Sequence, residues 1–151
     1  MKRLDEKGCP FCKMVKHELG HAMVQEDKDI LVIMDQYPAT MGHMLVLPKQ
    51  HIETIYDMTA DLGVRIMTTA ITLAKAIKLT LSPDGLNLIQ SNEVAAGQTI
   101  PHFHLHVIPR YKNDSVVLRF GHGNIPEKIA DLERTASLVR SGLRSGGIQY
   151  L

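Results

Sequence analysis

The chain has 151 residues, 44% of them hydrophobic and 22% charged, with a formal net charge of +1. That length and balance suit a single soluble domain, residues 1–151, with a real core. A net charge so close to zero gives no electrostatic case for nucleic acid or a membrane as the main partner. No apolar run approaches the length of a membrane span. The opening MKRLDEKGCP has no apolar stretch behind its basic residues, so it does not read as a secretory signal. Two cysteines, Cys9 and Cys12, are too few and too close for a disulfide framework. The expectation is a cytoplasmic protein with reduced thiols.

In chain order, KHELGHAMVQED and DILVIMD read as two short strands joined by a charged turn at Glu26 to Asp29. YPATMGH is turn chemistry, with Pro38 and Gly42. It leads into the apolar run MLVLP, closed by Pro48, which cannot donate to a ladder. Residues 57–81 form the clearest helix. Met58, Leu62, Ile66, Ala70, Leu73 and Ile77 recur at spacings of three and four, one apolar stripe. SPDG stops it, GLNLIQSN is a strand, and EVAAGQTIP is a loop. HFHLHVIP is a second, stronger strand. A last helix, about 125–143, starts near Asn124, where Asn124 and Glu127 read as a capping box. Its stripe is Ile129, Leu132, Ala136, Val139 and Leu143. Strands that follow one another without crossover helices pair antiparallel. The order predicts an α+β fold, an antiparallel sheet with helices packed on a face.

PHFHLHVIPR, residues 101–110, carries the chemistry. In a strand, alternate side chains share a face. His102, His104 and His106 then line one short groove, while Phe103, Leu105 and Val107 point the other way and can pack on a helix. A row of three imidazoles with apolar residues between them supports two readings. One is a catalytic metal held by three histidines with an open position. The other is nucleophilic catalysis, in which a neutral imidazole attacks phosphorus and splits one displacement into two.

GQTIPHFHLHVIPR resembles the signature of the histidine triad (HIT) family: three histidines alternating with apolar residues, preceded by Gly-Gln-Ser/Thr. CPFCK, GHMLVLPKQH at 42–51 and LIQSNEVAAGQ at 88–98 are similar to family segments, in the family's order and at similar spacing. The resemblance covers about residues 9–111. It implies an HIT-like fold with a five-stranded antiparallel sheet and two main helices, and a homodimer. It implies a hydrolase that cleaves a purine nucleotide at its α-phosphate. His104 would be the nucleophile and form a nucleotidyl-histidine. The carbonyl of His102 would orient the His104 ring, and His106 would hydrogen-bond the phosphate or leaving atom. Asn92, Gln98 and Thr99 match phosphate donors. Asp35 matches the acid that pairs with the ribose hydroxyls, and His43 a histidine beside the phosphates. Distant uridylyltransferases carry Gln at the third triad position, so His106 points towards the hydrolases.

A C-x-x-C pair is a redox or a zinc motif. Redox pairs follow an apolar strand, and here only MKRLDEKG precedes, so zinc is the better reading. Two thiolates need two further ligands. The resemblance to bacterial-type HIT proteins supplies His51 and His102, for one structural Zn2+ per chain. His17, His21 and His122 match nothing and read as surface residues. The chain has no Trp, unlike the tryptophan-containing tail of the Hint branch, and Glu93 stands where a glycine is expected after Asn92. The rival to an enzyme is a nucleotide- or partner-binding module with little turnover.

Overall fold

The computed structural model describes residues 8–118 and 128–145. Contacts divide the chain into two compact units, residues 1–116 and 117–151. The first holds a five-stranded sheet: β1 (Met23–Glu26), β2 (Ile30–Met34), β3 (Met44–Pro48), β4 (Gly85–Ile89) and β5 (Leu105–Arg110). Every pairing is antiparallel, in the order β1-β2-β3-β5-β4. A short helix, α1 (Pro10–Val15), precedes the sheet, and a long one, α2 (Ala60–Thr80), connects β3 to β4.

The central strands are almost continuously apolar because both faces of the sheet are covered. One face carries Ile30, Val32, Met44, Val46, Leu105 and Val107. With Phe103 they pack on Ile66, Ala70, Leu73 and Ile77 of α2. Met58 and Leu62 lie at the margin of that cluster, so the whole stripe read from the sequence faces the sheet. The opposite face carries Leu31, Ile33, Leu45 and Leu47, and these pack on Cys9, Phe11, Cys12 and Met14. Each well-buried aliphatic or aromatic side chain contributes roughly 1.5–3 kcal/mol.

Several boundaries differ from the sequence reading, and two of them bear on the site. The long helix begins at Ala60, not 57: Ile55–Asp57 is a separate 3-10 turn, and Thr59 caps α2 by accepting from the Leu62 N–H. The triad strand begins at Leu105, not His102. Residues 101–104 open on a bend at 101–102 and have no place in the ladder, because β3 pairs only as far as Val46 with Leu105. The Phe103 N–H bonds the Ile52 carbonyl instead. The alternation of side chains nonetheless persists through 102–107.

The loop from β2 to β3 needs a glycine. Gly42 has φ +85°, and a Cβ there would stand 2.5 Å from Leu81 Cδ1 and 3.1 Å from Pro109 Cγ. This tight return brings Asp35, just after β2, against His43, just before β3: the Asp35 N–H bonds the His43 carbonyl at 3.0 Å. Beyond β5, Asp114 accepts two bonds from the Arg110 guanidinium, which pins the turn after the triad strand.

In the second unit, α3 (Ile129–Ser145) is an amphipathic helix, with Ile129, Leu132, Leu138 and Val139 exposed. The capping box at Asn124 and Glu127, and His122, lie outside the described residues. No helix among the described residues is long and apolar enough to cross a membrane.

Candidate active site and metal centre

The three triad histidines do not converge on a common point. Each ring is held by a different partner, and those partners set the tautomers. The Nδ1 of His104 lies 2.7 Å from the His102 carbonyl. A carbonyl only accepts, so Nδ1 carries the proton and Nε2 keeps its lone pair. The Nε2 of His102 lies 2.9 Å from the Pro48 carbonyl, so there Nε2 is protonated and Nδ1 is the free donor atom. For His43, Nδ1 accepts from the Ala39 N–H at 3.0 Å, which places its proton on Nε2. That Nε2–H faces His106 Nδ1 at 2.9 Å, so His106 holds its own proton on Nε2.

His104 and His106 line a cavity of about 290 Å³ between the sheet and α1. Its walls include Phe11, Met14, Ile33, Leu45 and Ile100, and its polar lining includes Asp35, Tyr37 and Thr99. Asp35 Oδ2 stands 3.4 Å from His43 Nε2 and 3.8 Å from His106 Nδ1, while Oδ1 accepts from the Tyr37 N–H. All four imidazoles are biased towards the neutral form. Burial pushes His106 down to about 4, with His104 and His43 as further causes and Asp35 opposing. Burial also lowers His104, against the hydrogen bond to the His102 carbonyl and the Asp35 charge. Burial lowers His43 against Asp35. His102 is pushed down to about 4 by burial, with His51 and His104 adding to it and the Pro48 hydrogen bond opposing.

Asn92 and Gln98 are placed elsewhere. Asn92 accepts from the Ile55 N–H and donates to Gln90. Gln98 is buried, accepts from the Glu93 N–H and donates to the Glu53 carbonyl. Their polar atoms tie the loop before the triad to the segment after β3, and of Asn92, Gln98 and Thr99 it is Thr99 that lines the cavity. Glu93 adopts φ 66° and ψ 167°, a conformation that favours glycine, at the position where the sequence departs from the HIT pattern. His17 is exposed, with its Nε2 3.4 Å from Glu26, and it stacks on His21.

His102 turns away from the cavity to a second cluster. Cys9, Cys12, His51 and His102 each offer one donor atom, all within 4.8 Å of one another. Cys9 Sγ and Cys12 Sγ both lie 3.5 Å from His102 Nδ1, and Cys12 Sγ lies 3.2 Å from His51 Nδ1. Around a tetrahedral zinc, sulfur and nitrogen ligands stand about 3.5–3.6 Å apart, given Zn–S of roughly 2.3 Å and Zn–N of roughly 2.0–2.1 Å. The cluster matches that geometry. The Pro48 carbonyl supplies the outer hydrogen bond that aims a histidine ligand. Both thiols are free of any disulfide and fully or almost fully buried.

Asp35, His43 and His106 also have donors within 4.8 Å of one another. Here the tautomers argue against a metal: the Ala39 N–H occupies His43 Nδ1, so the nitrogen facing the cluster is protonated and donates. Neither of the two metal-capable groups among the described residues includes His104. A catalytic metal on all three triad histidines therefore does not fit.

Comparison with known proteins follows the same lines. The family model described as HIT domain matches residues 16–113. The chain is 39% identical over 140 residues to "Protein hit" of Bacillus subtilis, covering 92% of this chain and 97% of that protein. It is 33% identical over 109 residues to "Adenylylsulfatase HINT3" of Arabidopsis thaliana, covering 72% of this chain and 55% of that protein. Among solved structures, a HIT family protein from Bacillus anthracis superposes with a TM-score of 0.83 at 34% identity, covering 89% and 96% of the two chains. A zinc-bound histidine triad family protein from Mycobacterium smegmatis gives 0.71 at 30% identity, covering 93% and 96%.

Proposed function

The chain belongs to the HIT domain family, and from that premise we propose that it hydrolyses purine nucleotide derivatives at the α-phosphate through a nucleotidyl-His104 intermediate. One observation carries the reading. The His102 carbonyl, 2.7 Å from His104 Nδ1, leaves Nε2 as the unprotonated nitrogen of a ring that lines the cavity. Burial keeps that ring neutral, the state a nucleophile needs.

In the first step Nε2 attacks phosphorus. The bond to the leaving group breaks, and its electron pair departs with that group. The Nε2–H of His106, set by His43, hydrogen-bonds the departing atom or a phosphate oxygen and stabilises charge as it develops. Water then attacks phosphorus, the electron pair returns to His104 Nε2, and the water's proton is released. The apolar walls suit a base, and Asp35 stands where ribose hydroxyls can donate to it. Thr99 is the loop side chain placed to donate to phosphate. Gln98 and Asn92 act here by holding the loop.

Cys9, Cys12, His51 and His102 would hold one structural zinc per chain. When bound, the metal supplies a fixed charge that keeps both thiols ionised and ties α1 to the triad segment. The two roles of His102 are compatible, since its ring faces the cluster while its carbonyl orients His104. A homodimer is part of the same reading.

The test is a panel of nucleoside phosphoramidates, dinucleoside polyphosphates and adenylyl sulfate, the last prompted by the name of the Arabidopsis relative. Wild type should turn over at least one, with a nucleotidyl-enzyme trapped on acid quench. His104→Ala should form no adduct while still binding nucleoside monophosphate. Binding without turnover in the wild type would favour the nucleotide-binding module instead.

A further inference from the structure

Phe11 lies between the two thiols of the Cys9–Cys12 turn, and the steps above give it no part. It is 5% exposed. Its ring centroid is 5.2 Å from that of His104, with the planes inclined at 58°. It also meets His102 edge-on, at 5.7 Å and 81°. The other aromatic neighbour of the His104 ring is His106, at 4.9 Å, which is held neutral. The Asp35 carboxylate lies closest to His43 and His106, and its charge reaches His104 from further off. Phe11 is thus a buried aromatic ring packed against the group that becomes charged.

We propose that Phe11 stabilises the positive charge that the His104 ring acquires when its Nε2 bonds to phosphorus. The inference rests on the nucleotidyl-histidine reading. In the attack, the Nε2 lone pair becomes the N–P bond and the old bond's electron pair leaves with the leaving group. The ring keeps its proton on Nδ1, held by the His102 carbonyl, so it is formally an imidazolium. An aromatic quadrupole attracts a cation that lies towards the ring face within about 6 Å of the centroid and repels one at the edge. The neutral ring before attack gains almost none of this. The contact is therefore stronger in the charged state than in the ground state, which is what accelerates a step. The same argument gives the second step the opposite sign. Hydrolysis discharges the ring, so whatever stabilises the adduct retards its breakdown.

The experiment replaces Phe11 with 4-fluoro-, 3,5-difluoro- and 3,4,5-trifluorophenylalanine, which weaken the quadrupole stepwise at nearly constant shape. Rapid-quench single turnovers with an adenosine phosphoramidate separate adduct formation from adduct hydrolysis. Formation should slow progressively, by about three- to tenfold at the trifluoro ring, while hydrolysis of the adduct becomes faster. Melting temperature and zinc content should hold across the series. A residue that only shapes the cavity would change nucleotide affinity and move both rates together or neither. The sign of the fluorination series reports which part of Phe11 meets His104. An inverted series, like a flat one, in a wild type that forms the adduct overturns this proposal alone. A wild type that forms no adduct overturns the hydrolase reading, and this proposal with it.

Discussion

Stripping the metal from the Cys9, Cys12, His51 and His102 cluster should undock α1 without unfolding the sheet. The helix has only six residues, far too few to stand in water unaided. Its docking buries Phe11 and Met14, worth about 1.5–3 kcal/mol each, with a smaller gain from the two thiols. Fixing the backbone of Cys9 and the six helical residues costs about 1–2 kcal/mol per residue, or roughly 7–14 kcal/mol. Hydrophobic burial of about 4–8 kcal/mol does not cover that. A zinc held by two thiolates and two imidazoles contributes on the order of 10 kcal/mol, enough to reverse the sign. Chelation should then expose the amides of Lys13 and Lys16, whose helical bonds run to the carbonyls of Cys9 and Cys12. Hydrogen exchange should report rapid exchange there, while β2 and β3 stay protected. Because α1 supplies Pro10, Phe11 and Met14 to the cavity wall, nucleotide affinity should weaken by about tenfold or more in the same sample. Protected Lys13 and Lys16 amides with unchanged affinity in metal-free protein would refute the reasoning.

The remaining predictions concern pH and two backbone positions. The folded pKa of His106 is about 4 against roughly 6.5 in the unfolded chain, so the unfolded state binds its proton first. His106 alone should leave stability level above about pH 6.5 and lower it by up to about 3 kcal/mol as pH drops towards 4, with His102, His104 and His43 acting in the same direction, seen in urea midpoints across that range. Gly42→Ala combines a left-handed backbone, about 1–2 kcal/mol, with overpacking against Leu81 and Pro109, about 1–3 kcal/mol. It should lower the melting temperature by several degrees, and an unchanged value would contradict the close contact. Glu93→Gly relieves a conformation that costs a non-glycine residue about 1–3 kcal/mol, so it should raise the melting temperature.

The sequence was most informative where a local pattern has one physical solution. The stripe from Met58 to Ile77 could bury itself in only one way, and it lies against the sheet. The alternation through 102–107 sorted histidines from apolar residues even where the ladder stops, since Phe103 packs in the same cluster as Leu105 and Val107. The first turn of α2 was misjudged because Ile55–Asp57 is compatible with either helix type, and the Thr59 cap decides between them. Asn92 and Gln98 have amide side chains suited to phosphate, but amides serve backbone groups equally well. Which they serve depends on where the segment after β3 passes. Nothing local to CPFCK says which ring Phe11 will meet.

Residue types and their spacing were enough to point to the donor groups available, the two faces of the triad strand and the α+β class, because these follow from side-chain period and donor chemistry within a few residues. The proton positions were not contained there. Each depends on a carbonyl or N–H from a distant part of the chain: Pro48 for His102, Ala39 and then His43 for His106. Either imidazole nitrogen can carry the proton until folding gives one of them a partner. In the proposed function, that choice is what would make His102 a ligand, His104 a nucleophile and His106 a donor.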